Sequence, residues 1–328
     1  MAQPSVINFL KYASQPWVRY NTLRFILNQP IDKNDCKQAY HETIKHPLVQ
    51  SVIKKCLEWP NPPLKSHKAA SHPMHHLCLL ADLGIMLPYK PIVRIVNNIA
   101  GHQDSNGAFQ SLIVLPSIWG GSNRPDWLWM FCDAPVLLHA CLAFGKPSND
   151  GSITAALDHL SSVVEQKKWT CFSSLEKLKG PGRKNDPCPY ATLLALRAFS
   201  VAAKRNDSSL MRQGIEILLK HWESRKSTKL RMFGIGTDFK KLKYPFVFYD
   251  ILHVVDVLSR FPWVWNDKRF LEMVHCIENK RNAEGLFTPE SAWMAFKGFD
   301  FAQKKEPSPT LTFIIERILK RRYNENSN

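Results

Sequence analysis

Four stretches of this chain repeat one pattern of apolar positions. HHLCLLADLG near residue 76, VLLHACLAFG near 139, ATLLALRAFS near 194 and DILHVVDVLSR near 253 are rich in Leu, Ala and Val and carry little charge. Aligned on Gly84, Gly145, Ser200 and Arg260, they lie 61, 55 and 60 residues apart. Most are followed by a second helical stretch, with apolar residues at i, i+3 and i+4 as around Val93-Arg-Ile-Val. A fixed period holding two helices predicts a repeat architecture in which each unit buries its apolar face against its neighbours. The units are expected over 72–110, 132–170, 187–222 and 244–287. Residues 111–130, with Gly120, Gly121 and three tryptophans, are expected as a loop, and almost nothing reads as strand.

The pattern predicts an all-α fold of four to five helical hairpins. Residues 1–64 read as a divergent, capping repeat broken at Pro16, Pro30 and Pro47, and 65–303 as the repeats themselves. Residues 304–328 read as a basic helix with a frayed tail. Within the first join, PNPPLKSH at 60–67 is a proline-rich connector.

Composition narrows the setting. No run reaches the ~18 apolar residues of a membrane span. The first residues carry neither the basic start nor the apolar core of a signal peptide. Eight dispersed cysteines without a CxxC pair fit a reducing, cytoplasmic location. The net charge of +16 attracts anions. Nucleic acid is disfavoured because no nucleic-acid motif accompanies the charge. A phosphate-bearing substrate, a protein partner or peripheral contact with a membrane surface are the other expectations. Most of the lysines, including those around 320–322, read as a solvated surface.

The turn Gln103-Asp-Ser-Asn-Gly107-Ala-Phe109 resembles the Gln-x3-Gly-x-Trp/Phe turn repeated in squalene and hopene cyclases and, more loosely, in protein prenyltransferase β subunits. Arg281-Asn-Ala-Glu-Gly285-Leu-Phe287 keeps the Gly-x-Phe half with Arg in place of Gln. The resemblance covers about residues 65–300 and implies an α/α toroid whose inner helices line a central cavity. The chain as a whole resembles proteins with prenyltransferase/squalene-oxidase-type repeats. It lacks the Asp-x-Asp-Asp and Asp-Asp-x-x-Asp motifs of terpene cyclases, which argues against cyclisation by those routes.

Twelve positions before the four anchors stand His72, Asp133, Cys188 and Phe248, each at the start of an expected inner helix. Around them cluster His75, His76, Cys132, Asp186, Tyr249, Asp250 and His253. His72, Asp133 and Asp250 are candidate catalytic groups. Gly182-Arg-Lys-Asn-Asp186-Pro-Cys188-Pro-Tyr190 resembles a segment of the prenyltransferase β subunits that holds zinc through Asp and Cys and a lipid diphosphate through Arg and Lys. The resemblance implies zinc as cofactor, with Asp186 and Cys188 as ligands. His253, Asp250 and His72 compete for the third position. It likewise implies Arg183 and Lys184 on the phosphate of an isoprenoid substrate, with Tyr190 and Tyr249 beside it. Helix capping explains the acids without chemistry, because Asp186-Pro-Cys-Pro and Asp133-Ala-Pro have the form of an N-cap followed by first-turn proline. A non-catalytic repeat protein that binds a protein or an anionic partner is the alternative function.

Overall fold

A computed structural model of the chain describes residues 3–178, 185–202, 208–226 and 233–323. Among these the chain forms fourteen α-helices and one two-stranded sheet. It opens with α1 (Pro4–Lys11), α2 (Pro16–Asn21), α3 (Asn34–Lys45) and α4 (Pro47–Glu58). The four repeat units follow as α5 (Pro73–Asp82) with α6 (Lys90–Ala100), α7 (Ala134–Ala143) with α8 (Gly151–Lys167), α9 (Pro189–Phe199) with α10 (Ser209–Glu223), and, after the short α11 (Thr237–Lys240), α12 (Ile251–Leu258) with α13 (Lys268–Glu278). The last helix is α14 (Pro309–Arg321). The fold is all-α. No helix among the described residues is long and apolar enough to cross a membrane.

The two helices of each unit differ as their sequences require. The apolar strings have no polar face, and α9 and α12 are buried along their whole length. In α7, Pro135 to Leu142 are all buried. The second helices are amphipathic. The buried residues of α6 are Ile92, Ile95, Val96 and Ile99, and those of α13 are Phe270, Met273, Val274 and Ile277. Both sets follow the i, i+3, i+4, i+7 stripe of a helix with one wet face. The first helices therefore form an inner layer and the second helices an outer one. Prolines set the register at the starts, because proline fits the first turn, where its missing N–H costs nothing: Pro4, Pro16, Pro47, Pro73, Pro189 and Pro309 each open a helix.

Successive inner helices pack side by side, α5 on α7, α7 on α9 and α9 on α12. α14 packs on α12, α1 and α2, and α2, α3, α4 and α5 continue in that order. The C-terminal segment is thus built into the helical core, and Trp17 Nε1 of α2 donates to Thr310 Oγ1 of α14 at 2.8 Å. The space among α5, α9 and α12 is filled by side chains. Tyr244 hydroxyl donates to Asp82, Phe246 packs on His253 and on Arg197, and His76 lies against Phe296.

Two turns join units in the same way. Gln103 Nε2 donates to Gly107 O and to Ser152 O in the first turn of α8, both at 2.7 Å. Arg281 Nη1 donates to Gly285 O at 2.8 Å and to Glu316 Oε1 of α14 at 2.6 Å. Gly107 has φ +98° and a Cβ there would lie 2.5 Å from Ala155 O, so glycine is required twice over. Phe109 and Phe287 are both buried at the joints.

The expected loop at 111–130 contains an antiparallel pair instead. β1 (Ser111–Val114) and β2 (Pro125–Leu128) run in register from Ser111 opposite Leu128 to Val114 opposite Pro125. Leu64 of the connector joins beside Ile113, with Leu64 N donating to Leu112 O and Val114 N to Leu64 O.

Candidate active site and apolar cavity

A cavity of about 320 Å³ lies where the inner helices begin. The approaches to α5, α7, α9 and α12 all reach it, through His67, Cys132, Cys188 and Phe248. Its wall is mostly apolar, with Leu64, Ile113, Leu115, Phe131, Tyr190 and Phe233 among the lining residues. The polar groups on it are few. Cys132 Sγ is 3.2 Å from His67 Nε2. Asp133 is fully buried behind this pair; Oδ1 accepts from Met130 N, and Oδ2 lies 3.8 Å from the same His67 nitrogen without a hydrogen-bond partner. Cys171 and Cys188 complete a set of three thiols on the wall. At the rim Lys65 and Lys68 are exposed, and Lys68 Nζ sits 4.6 Å from the centre of the Phe248 ring.

Burial controls the charge states here. It pushes the Cys132 thiol well above the usual thiol range, with the neighbouring Asp133 adding to the effect. Cys188 is pushed up to about 12 by the same desolvation. Desolvation also raises the Asp133 carboxyl, against the pull of His67. At neutral pH the wall therefore presents neutral thiols rather than thiolates. An imidazole 3.2 Å from the Cys132 sulfur is placed to take its proton, which is the arrangement a thiol nucleophile needs.

The side chains singled out from sequence divide into groups. Cys188 and Tyr190 line the cavity, with the Tyr190 hydroxyl donating to Val247 O at 3.4 Å. Asp133 stands directly behind the Cys132–His67 pair. His72 and Asp250 turn back onto their own helix ends. His72 Nδ1 accepts from Met74 N at 3.2 Å while Nε2 donates to Pro62 O at 2.9 Å. Asp250 Oδ1 accepts from His253 N at 3.1 Å and from His253 Nδ1 at 2.7 Å. Tyr249 meets His221 Nδ1 through its hydroxyl at 2.8 Å. Asp186 is exposed. Arg183 and Lys184 lie outside the described residues. Among the three tryptophans, Trp119 lines the cavity, Trp127 stacks on His102, and Trp129 donates to Asp104.

The three expected zinc ligands, Asp186, Cys188 and His253, stand in different settings. Asp186 is at the surface, Cys188 is on the cavity wall, and His253 holds Asp250 through Nδ1 while its buried Nε2 has no hydrogen-bond partner. Among the described residues no three His, Cys, Asp or Glu side chains are grouped to hold a metal ion. The residue that pattern reading passed over is His67. It sits in the proline-rich connector, outside the repeat, so counting from the anchors could not reach it. Its only signal is a histidine set between Ser66 and Lys68 in a segment with no apolar period. No family model and no curated protein matches the chain.

Proposed function

We propose that this chain binds an amphipathic molecule, an apolar chain of isoprenoid type carrying an anionic phosphate head, in the cavity where the inner helices begin. The observation that carries the reading is the division of the cavity itself: aliphatic and aromatic side chains inside, and Lys65 and Lys68 at the rim. At about 320 Å³ it is at the small end of ligand sites, room for one slender chain. Each methylene taken from water into it contributes about 0.8 kcal/mol, and the rim cations favour a negative head group over a neutral one. The overall architecture in this reading is an α/α toroid. The order of packing from α5 through α7, α9, α12 and α14 back to α2, α3 and α4 supports it. So does the Gln/Arg–Gly–Phe turn that joins successive units.

A titration with a fifteen-carbon prenyl diphosphate tests the proposal, with the free prenyl alcohol and inorganic diphosphate as comparisons. The diphosphate ester binds tightest, and Leu115→Trp, which fills the cavity from its half-buried wall, weakens it by about tenfold or more. Equal affinity of Leu115→Trp and the parent chain for the ester contradicts the reading.

The Cys132–His67 pair favours a second reading, in which the wall is also reactive. Here the Cys132 sulfur attacks an electrophilic carbon of a bound molecule as His67 accepts the thiol proton. Intact mass spectrometry after incubation with an acyl thioester then shows an acyl adduct, with the leaving thiol released. Cys132→Ser retains ligand binding and loses the adduct. An adduct that persists in Cys132→Ser removes this reading and leaves binding alone.

A further inference from the structure

A second cavity, of about 480 Å³, lies at the opposite ends of the inner helices. Its wall takes Asp82 at the end of α5, Ala143 at the end of α7, Val201 beyond α9 and Arg260 beyond α12. Its far side comes from residues 20–31 and from α14. Positive charge is in surplus there. Asp256 accepts from Arg260 at 2.6 Å, from Arg317 at 3.3 Å and from Arg321 at 3.0 Å, so one carboxylate serves three guanidiniums. Asp82 is taken by Arg197, whose Nη2 is 3.1 Å from both oxygens. Arg24 and Lys320, also on the wall, donate to uncharged oxygens, Gln29 O for the first and Phe25 O, Ile26 O and Asn28 Oδ1 for the second.

Arg317 and Arg321 reach Asp256 from α14, and Arg260 reaches it from the end of its own helix, so a single carboxylate is the charge partner of all three. These guanidiniums are mostly but not fully buried, 13–23% exposed, and cations that outnumber their opposite charges there cost folding free energy, because desolvation is repaid only by an opposite charge. The strain shows in the ionisation. Burial, and after it the neighbouring guanidiniums, push Arg321 down to about 9. Asp256 is held well below the usual carboxylate range in spite of its burial, by Arg260 and Arg321 first. Donors are also left over. Arg260 Nε and Arg317 Nε are buried without hydrogen-bond partners, and so is Nδ1 of His139, a wall residue only 3% exposed. Surplus positive charge and unpaired guanidinium donors are complementary to an anion.

We propose that this second cavity binds the phosphate or diphosphate group of a small organic ester. Guanidinium forks match the oxygens of a phosphoryl group, two N–H bonds to two oxygens, better than a single carboxylate fills them. The cavity is larger than a free phosphate needs, and the remaining wall of Tyr20, Phe25, Ile31, Met86 and Val201 suits an organic moiety. The site shares no residue with the apolar cavity and does not depend on what that cavity holds.

Calorimetric titration of the full chain with inorganic diphosphate tests it, alongside adenosine diphosphate and phosphatidate vesicles. Inorganic diphosphate binds at one equivalent and raises the melting temperature. Arg317→Gln weakens binding by about tenfold or more, yet leaves the ligand-free protein as stable or more stable, because it removes a surplus charge. Lys320→Gln weakens it in the same direction. Lys37→Gln, on the exposed surface of α3, and Leu115→Trp, in the apolar cavity, leave it unchanged. Tighter binding of adenosine diphosphate than of inorganic diphosphate assigns a soluble ester. Capture on phosphatidate vesicles that inorganic diphosphate reverses assigns a lipid head group. The proposal is overturned by no binding at about 1 mM inorganic diphosphate, by equal loss in Lys37→Gln, or by loss of diphosphate binding in Leu115→Trp.

Discussion

Arg281 occupies the place that Gln103 has in the earlier turn, and its longer side chain makes the equivalent pair of bonds, one to the glycine carbonyl and one to the next helix. The difference lies in what the second bond reaches. Gln103 meets a backbone carbonyl, whereas Arg281 meets the Glu316 carboxylate, whose side chain is 2% exposed. Removing the arginine leaves that charge buried and unpaired. Arg281→Ala is therefore expected to cost about 3–5 kcal/mol of unfolding free energy, read from urea denaturation. The double change Arg281→Ala with Glu316→Gln recovers most of it. A loss below about 1 kcal/mol in the single variant contradicts this account of the joint. The Gly-x-Phe signature and its register were legible in the sequence, because glycine at positive φ and a buried aromatic leave a spacing. The charge pair was not, since Glu316 lies thirty-five positions away in a helix that pattern reading set apart from the repeats. Asp186 shows the converse. It has the spacing of a ligand and stands in solvent, and spacing alone carries no information about which way a side chain faces.

Helices were legible as elements wherever a long apolar period and an opening proline coincided. The pair β1 and β2 was not, because each strand is four residues long, the β-branched Ile113-Val114 of β1 is no longer a run than those inside helices, and β2 has no β-branched residue. Two of the helix starts also carry a pH dependence. α4 and α5 open with His46-Pro47 and His72-Pro73, and in each the imidazole Nδ1 accepts from a first-turn N–H, Leu48 and Met74. The His72 ring donates through Nε2 to Pro62 O as well, so only the neutral tautomer satisfies both bonds. Burial lowers His72 to about 4, and lowers His75 to about 3 and His221 to about 4. A base whose folded value is depressed binds fewer protons folded than unfolded. Its stabilisation is complete above about pH 6.5 and is lost as pH falls towards 4, by roughly 1.4 kcal/mol per pH unit for each group. Urea midpoints are expected to fall steeply from about pH 7 to about pH 5. His72→Asn, which keeps a capping acceptor that does not titrate, makes that fall shallower. A midpoint independent of pH over this window contradicts the assignment.

At the scale of the whole molecule, the repeat brings the starts of four inner helices together at one end and their ends together at the other. The sequence shows the first grouping, because equivalent positions can be counted back from the anchors. Cys188 and Phe248 stand at such positions on the cavity wall, with Cys132 one residue from a third. The second grouping was hidden. Arg317 and Arg321 come from the terminal helix, and a basic segment reads as solvated surface until its packing is seen. The filling of the space among α5, α9 and α12 was hidden as well, because Tyr244, Phe246 and Phe296 come from irregular segments without a period. The central claim is that the cavity at the helix starts takes up an apolar chain, and three thiols on its wall report on it directly. Thiol alkylation of the native chain, read residue by residue by mass spectrometry with and without a fifteen-carbon prenyl diphosphate, is the most direct measurement. The account predicts that the ligand slows modification of Cys132, Cys171 and Cys188 together by about tenfold, and leaves the half-exposed Cys276 of α13 unchanged. Unchanged rates at the three wall cysteines under saturating ligand, or slowing of Cys276 to the same degree, would contradict it.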